Sequence, residues 1–167
     1  MQHLWSPWRM KYIRSKHDPK GCVFCNALTA KNDGEHLVVH RGHFSFVILN
    51  KYPYTSGHVM VVPNQHIDSF EKMKSETSAE VMALLRKSIQ VINTVYKPDG
   101  YNMGANLGTT AGAGIAAHIH FHLVPRWEGD TNYMSAIGKT RVLPEDLCET
   151  FERLRAAWTQ DQTDSNG

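Results

Sequence analysis

Residues 118–124 read His-Ile-His-Phe-His-Leu-Val, an imidazole alternating with an apolar side chain. A period of two suits a strand, whose successive side chains leave on opposite faces. His118, His120 and His122 then share one face, while Ile119, Phe121 and Leu123 share the other and enter a core. Three readings of the histidine face compete. It is a solvated surface, a three-histidine metal site, or a nucleophilic site in which one imidazole attacks and the others manage charge and protons. Crowded imidazoles titrate near neutral pH and are unhelpful to stability, which disfavours the first.

The remaining chain punctuates into elements around this strand. Ser6-Pro7 opens a short helix carrying Trp5, Trp8 and Tyr12. Asp18-Pro19-Lys20-Gly21 breaks it before Cys22. Strands are expected over 36–40 and 44–50, joined at Arg41-Gly42, then over 58–63, 101–106 and 118–126. Thr77-x-x-Glu80 reads as a capping box for a helix that presents Val81, Leu85, Ile89, Ile92 and Tyr96 and stops at Pro98-Asp99-Gly100. A last helix begins near Pro144 and presents Leu147, Phe151, Leu154 and Trp158. Strands and helices mix without strict βαβ alternation, so the expected class is α+β with a mainly antiparallel five-stranded sheet and packed helices. The expected organisation is an N-terminal segment over 1–21 that packs on a single domain over 22–158, with a mobile polar tail over 159–167.

Composition narrows the partners. The chain has 167 residues, 41% hydrophobic and 20% charged, which fits one globular domain and excludes disorder for most of it. A net charge of +2 argues against nucleic-acid or membrane-surface binding. No apolar run approaches a membrane span, and the start of the chain carries no signal-peptide core, so a cytoplasmic protein is expected. Three cysteines cannot all pair, and Cys22-Val-Phe-Cys25 suggests metal or redox chemistry before a structural disulfide.

The loop Asn106-Leu-Gly-Thr-Thr-Ala-Gly112-Ala113-Gly114 leads into the histidine strand. Its glycines let backbone N–H groups approach an anion, so beside three aligned histidines it reads as a phosphate cradle. Phosphate together with an imidazole nucleophile points to phosphoryl or nucleotidyl transfer.

These residues resemble the histidine triad family, whose signature is His-x-His-x-His followed by apolar residues. The resemblance runs from Cys22 to Asn132 and includes Phe46-Val-Ile-Leu-Asn50, Ser56-Gly-His58-Val-Met-Val-Val-Pro63 and Asn64-Gln-His66. Trp5-Ser-Pro-Trp-Arg9 and Pro125-Arg-Trp127-Glu-Gly-Asp resemble the branch related to diadenosine tetraphosphate phosphorylases. The resemblance implies a homodimer that binds a purine nucleotide, with no organic cofactor. It implies His120 as the nucleophile that forms a nucleotidyl-histidine intermediate, with His122 at the phosphate and leaving group and His58 as a fourth histidine nearby. Asn50 would bond the ribose, Ile48 and Phe24 would flank the base, and Asn106 with the Gly112, Ala113 and Gly114 amides would contact phosphate. Trp127 would sit at a phosphate site.

The resemblance also implies a structural zinc site of Cys22, Cys25, His66 and His118. This chain departs from the family pattern at Gly114, where many members carry a Ser or Thr hydroxyl and glycine offers only an N–H. Hydrolysis of dinucleoside polyphosphates and their phosphorolysis both fit these residues. A metal-dependent phosphohydrolase built on His118, His120 and His122, and a non-catalytic nucleotide-binding module, are the competing readings.

Overall fold

The computed structural model describes residues 21–130 and 145–164. Its sheet is built on two apolar runs, and the outer strands are added to them. Val38–Arg41 forms β1, Ser45–Leu49 β2, Val59–Pro63 β3, Gly100–Gly104 β4 and Phe121–Arg126 β5. Every residue of β2 and β3 is buried, as their continuous apolar sequences require of strands covered on both faces. The order is β1-β2-β3-β5-β4, and the five strands are antiparallel throughout, in line with the expected mainly antiparallel sheet.

Alternation along the strands divides two cores. Val38, Phe46, Ile48, Met60 and Val62 line one face, under Phe24 and Ala27 of a short helix, Val23–Thr29 (α1). A second short helix, Asp33–His36 (α2), leads into β1. The other face carries Val39, Val47, Leu49, Val59, Val61 and Leu123. It is covered by Ser75–Tyr96 (α3) through Val81, Leu85 and Ile92, and by Leu147–Asp164 (α4) through Phe151, Leu154 and Trp158. Arg41 fastens α1 to β1: its guanidinium donates to the carbonyls of Ala27 (2.9 Å) and Leu28 (2.7 Å) at the end of that helix, and to Asp33.

Four expectations need correction. The first strand does not begin at His36, because the Asn32 side chain accepts the Gly34 N–H and caps α2 over that stretch, and Leu37 in the left-handed region (φ 60°) ends it. The capping box does not form. α3 starts at Ser75, Thr77 is buried inside it, and the Glu80 carboxylate instead accepts the His43 and Phe44 amides (2.7 and 2.6 Å). The last helix runs on to Asp164, into the stretch expected as a tail.

The fifth strand starts later than expected. Its ladder with β3 begins at Val61 opposite Phe121, not at His118. Extending the register would set Pro63 opposite Ile119, and proline has no N–H to give. The Ile119 N–H instead donates to the Ile67 carbonyl (2.7 Å). The expected Ser6-Pro7 helix with Trp5, Trp8 and Tyr12, and the chain around Pro144, lie outside the described residues.

Glu80→Ala tests the observed role of this carboxylate. Two amides lose a charged acceptor, so stability is expected to fall by about 1–2 kcal/mol. At roughly 2–4 °C per kcal/mol for a chain of this size, thermal unfolding reads the change directly.

Candidate active site

His58, His120 and His122 converge on the face that carries Phe24, Ile48 and Met60. Met60 of β3 pairs with His122 of β5, and Ile48 of β2 lies beyond Met60 in the same row. His58 is fully buried and His120 nearly so. The His120 and His122 ring centroids are 4.9 Å apart, and those of His58 and His122 5.1 Å.

Backbone partners set the proton on each ring. The Tyr54 N–H donates to His58 Nδ1 (3.1 Å), which leaves the proton of a neutral His58 on Nε2. That Nε2–H points at His122 Nδ1 (3.0 Å), so neutral His122 carries its own proton on Nε2. His120 Nδ1 lies 2.9 Å from the His118 carbonyl, which can only accept, so its proton is on Nδ1 and the lone pair is on Nε2. The result is one ring with a free nucleophilic nitrogen, beside a second that presents a donor.

Burial pushes the His122 imidazole down to about 4, and His120 beside it adds to the effect. Burial also lowers His120, partly opposed by its bond to the His118 carbonyl. Both rings are therefore neutral at pH 7, as a nucleophile and a neutral donor require. Linkage fixes the sign for His122. Unfolded histidine takes up its proton near pH 6.5, whereas folded His122 resists until about 4. Stability is then fully present above about pH 6.5 and is lost as pH falls from there towards 4. Urea midpoints measured between pH 7.5 and 4.5 should decline in that window, and His122→Asn should reduce the slope.

A second cluster sits beside the first. Cys22, Cys25, His66 and His118 bring their ligand atoms within 4.8 Å of one another. His118 Nδ1 is 3.4 Å from Cys22 Sγ and 3.7 Å from Cys25 Sγ, and His66 Nδ1 is 3.2 Å from Cys25 Sγ. Zn–S bonds of about 2.3 Å and Zn–N bonds of about 2.0–2.1 Å at tetrahedral angles make S···N edges of roughly 3.6 Å. The donor set and its spacing fit zinc. His118 Nε2–H donates to the Pro63 carbonyl (2.9 Å), leaving Nδ1 for a metal, the usual support for a ligating imidazole. His118 is thus turned towards the thiols, while His120 and His122 face each other. Among the described residues this is the one cluster with metal-ligand geometry.

Phe24 is buried, with its ring centroid 5.4 Å from that of His118 and 5.0 Å from that of His120, between the two clusters. Ile48 is buried in the same core. Asn50 Oδ1 accepts the Tyr52 N–H (2.9 Å), and its Nδ2 lies 3.4 Å from the His58 ring nitrogens. Asn106 stands just past β4, at the head of the glycine loop. Just past the loop, Ile115 packs against the Phe24 core. The loop is itself folded: the Gly112 N–H donates to Thr109, the Ala113 N–H to Gly108, and both glycines adopt positive φ (+90° and +79°). Gly114 follows the buried Ala113.

Trp127 follows β5 at the end opposite His120, seven residues on, or roughly 20 Å at strand rise. Within one chain it does not join the imidazoles. Sequence reasoning missed Tyr54, whose ring also lies 4.8 Å from His58 between centroids, and Ile67, whose carbonyl holds Ile119. The Tyr54 N–H that bonds His58 and the Ile67 carbonyl are backbone groups, which leave no side-chain signature.

A family model described as the HIT domain matches residues 31–129. The AP-4-A phosphorylase of Mycobacterium tuberculosis (strain ATCC 25618 / H37Rv) is 41% identical, over 96% of this chain and 86% of its own length. The adenosine 5'-monophosphoramidase hnt1 of Schizosaccharomyces pombe is 28% identical, over 63% of this chain and 74% of its own. Among solved structures, a Zn-bound histidine triad family protein from Mycobacterium smegmatis superposes with a TM-score of 0.70 at 26% identity, covering 88% of this chain and 99% of that one. A hypothetical histidine triad nucleotide-binding protein from Sulfolobus tokodaii strain7 gives a TM-score of 0.67 at 28% identity, covering 83% of this chain and 93% of that one.

Proposed function

This chain belongs to the HIT domain family, and on that premise we propose that it cleaves dinucleoside polyphosphates through a nucleotidyl-His120 intermediate, with inorganic phosphate as the acceptor. The observation that carries the reading is the His120 bond to the His118 carbonyl, which aims a neutral Nε2 lone pair away from the backbone. In the first step Nε2 bonds to the α-phosphorus and the bridging P–O bond breaks, releasing the longer polyphosphate fragment. His122 Nε2–H, supplied by the Tyr54–His58–His122 chain, donates to a phosphate oxygen as charge develops there. In the second step an oxygen of phosphate bonds to the same phosphorus and the P–N bond breaks, returning His120. Asn106 and the Gly114 end of the loop would face the phosphates, since the Gly112 and Ala113 N–H groups donate within the loop, with Asn50 at the ribose and Ile48 and Phe24 on the base side. Phosphate rather than water is favoured by the similarity to the Mycobacterium tuberculosis phosphorylase.

Cys22, Cys25, His66 and His118 would hold zinc, which when bound supplies a structural cross-link between α1 and the start of the histidine strand. The three cysteines are unbridged, which suits a reducing cytoplasm. Among the described residues no helix is long and apolar enough to cross a membrane.

We place a second copy of the chain on β4. This strand is a sheet edge with Met103 exposed on it and Leu107 exposed just beyond. Antiparallel pairing of β4 with its copy would set the Trp127 end of one β5 beside the His122 end of the other, because Gly100 pairs with Arg126 and Gly104 with His122. That arrangement gives Trp127 a site to serve.

Product analysis tests the proposal. With diadenosine tetraphosphate, ADP and ATP formed only when phosphate is added support phosphorolysis. AMP and ATP formed regardless of phosphate would replace it with hydrolysis through the same intermediate.

A further inference from the structure

Pro63 ends β3, and its place in the hydrogen-bond pattern is defined on both sides. Even-numbered residues of this strand bond towards β2: the Asn64 N–H donates to Phe44 (2.8 Å), and the Asn50 N–H to His58 (3.0 Å). Odd-numbered residues therefore face β5, where the register would set Pro63 against Ile119. A residue with an N–H at position 63 would exchange two backbone bonds with Ile119. Proline cannot, and both groups are used elsewhere: the Ile119 N–H goes to Ile67 (2.7 Å), and the Pro63 carbonyl takes the His118 Nε2–H (2.9 Å).

We propose that Pro63 is a positioning residue for both clusters, because the break it makes in the ladder admits the His118 imidazole to the sheet edge. Three contacts follow from that one gap. The Pro63 carbonyl fixes the His118 tautomer, so that Nδ1 faces Cys22 and Cys25. The backbone at His118 leaves the ladder, and its carbonyl turns to His120 Nδ1. The Phe24 ring then lies against both imidazoles. An N–H at position 63 brings Ile119 back to its register partner and takes the carbonyl that holds His118.

The test compares Pro63→Ala and Pro63→Val with wild type, each as the full chain. Zn2+ affinity is measured by competition with a chromophoric chelator, histidine tautomers by 15N NMR of the zinc-loaded protein, and kcat and KM on diadenosine tetraphosphate with phosphate. Loss of this outer support should weaken zinc by about 10–100-fold and lower kcat by about tenfold or more with KM little changed. The 15N pattern of His120 should lose its fixed Nδ1–H form. Zinc affinity and 15N patterns like those of wild type in either variant would overturn the inference.

If neither variant folds, the wild-type spectrum decides. His118 bound to zinc through Nδ1 with its proton on Nε2 supports the inference, and coordination through Nε2 overturns it. Only the kcat arm rests on His120 as nucleophile. An active His120→Ala alongside a zinc-weakened Pro63→Ala would remove the proposed function and leave this inference standing.

Discussion

His120→Ala is expected to lower kcat/KM on a dinucleoside polyphosphate by about 10⁴-fold or more, the order of loss that follows removal of a nucleophile. The variant should still fold and bind nucleotide, because His120 makes one backbone bond and its ring fills space beside Phe24. Burial of that ring means that alanine leaves a cavity, so some stability is lost with the rate. His120→Gln separates the two effects by restoring bulk without an imidazole lone pair. If both variants are inactive and both bind nucleotide, the loss belongs to chemistry. A non-catalytic binding module would show no change in product formation, and a site built on metal chemistry would retain cleavage.

Removing zinc is expected to give the largest change in stability. The four candidate ligands come from separate parts of the chain: Cys22 and Cys25 at the start of α1, His66 after β3, and His118 before β5. Unfolding separates them, so zinc binds the folded state preferentially. At a free concentration of about 1,000 times Kd this adds about 4.1 kcal/mol. For a chain of this size that is a rise of roughly 8–16 °C in Tm. Thermal unfolding with added zinc and with a chelator reads the difference. A Cys22→Ser, Cys25→Ser double variant should melt at the chelated temperature under both conditions. Without metal the Cys25 thiol is pushed up by burial and by Cys22 beside it, so zinc must displace a proton to bind and the stabilisation should weaken in acid.

Much of this arrangement could be read from side-chain pattern. The alternation of His118–Val124 put His120 and His122 on one face, although His118 leaves the ladder and turns to the thiols, and the apolar runs over 45–49 and 59–63 read as strands. The Cys22 and Cys25 spacing, with His66 and His118 supplied by family resemblance, named the group that the fold brings together. What could not be read depends on backbone bonds. Nothing in the sequence assigns the Ile119 N–H to Ile67 or the Tyr54 N–H to His58, yet these bonds set where the strand starts and which nitrogen carries a proton. Thr77 and Glu80 have the spacing of a capping box, but two turn amides at His43 and Phe44 compete for the carboxylate and win. Trp127 was legible as a residue type and not as a position, because it follows β5 at the end opposite His120.

Detection of the covalent intermediate addresses the central claim most directly. The enzyme is mixed with diadenosine tetraphosphate in the absence of phosphate, quenched at alkaline pH where a phosphorus–nitrogen bond to histidine survives, and digested for mass spectrometry. One adenylyl group is expected on the peptide carrying His120, discharged when phosphate is added before the quench and missing from His120→Gln. Rapid cleavage with no adduct on any histidine, or an adduct on His122 instead, would contradict it.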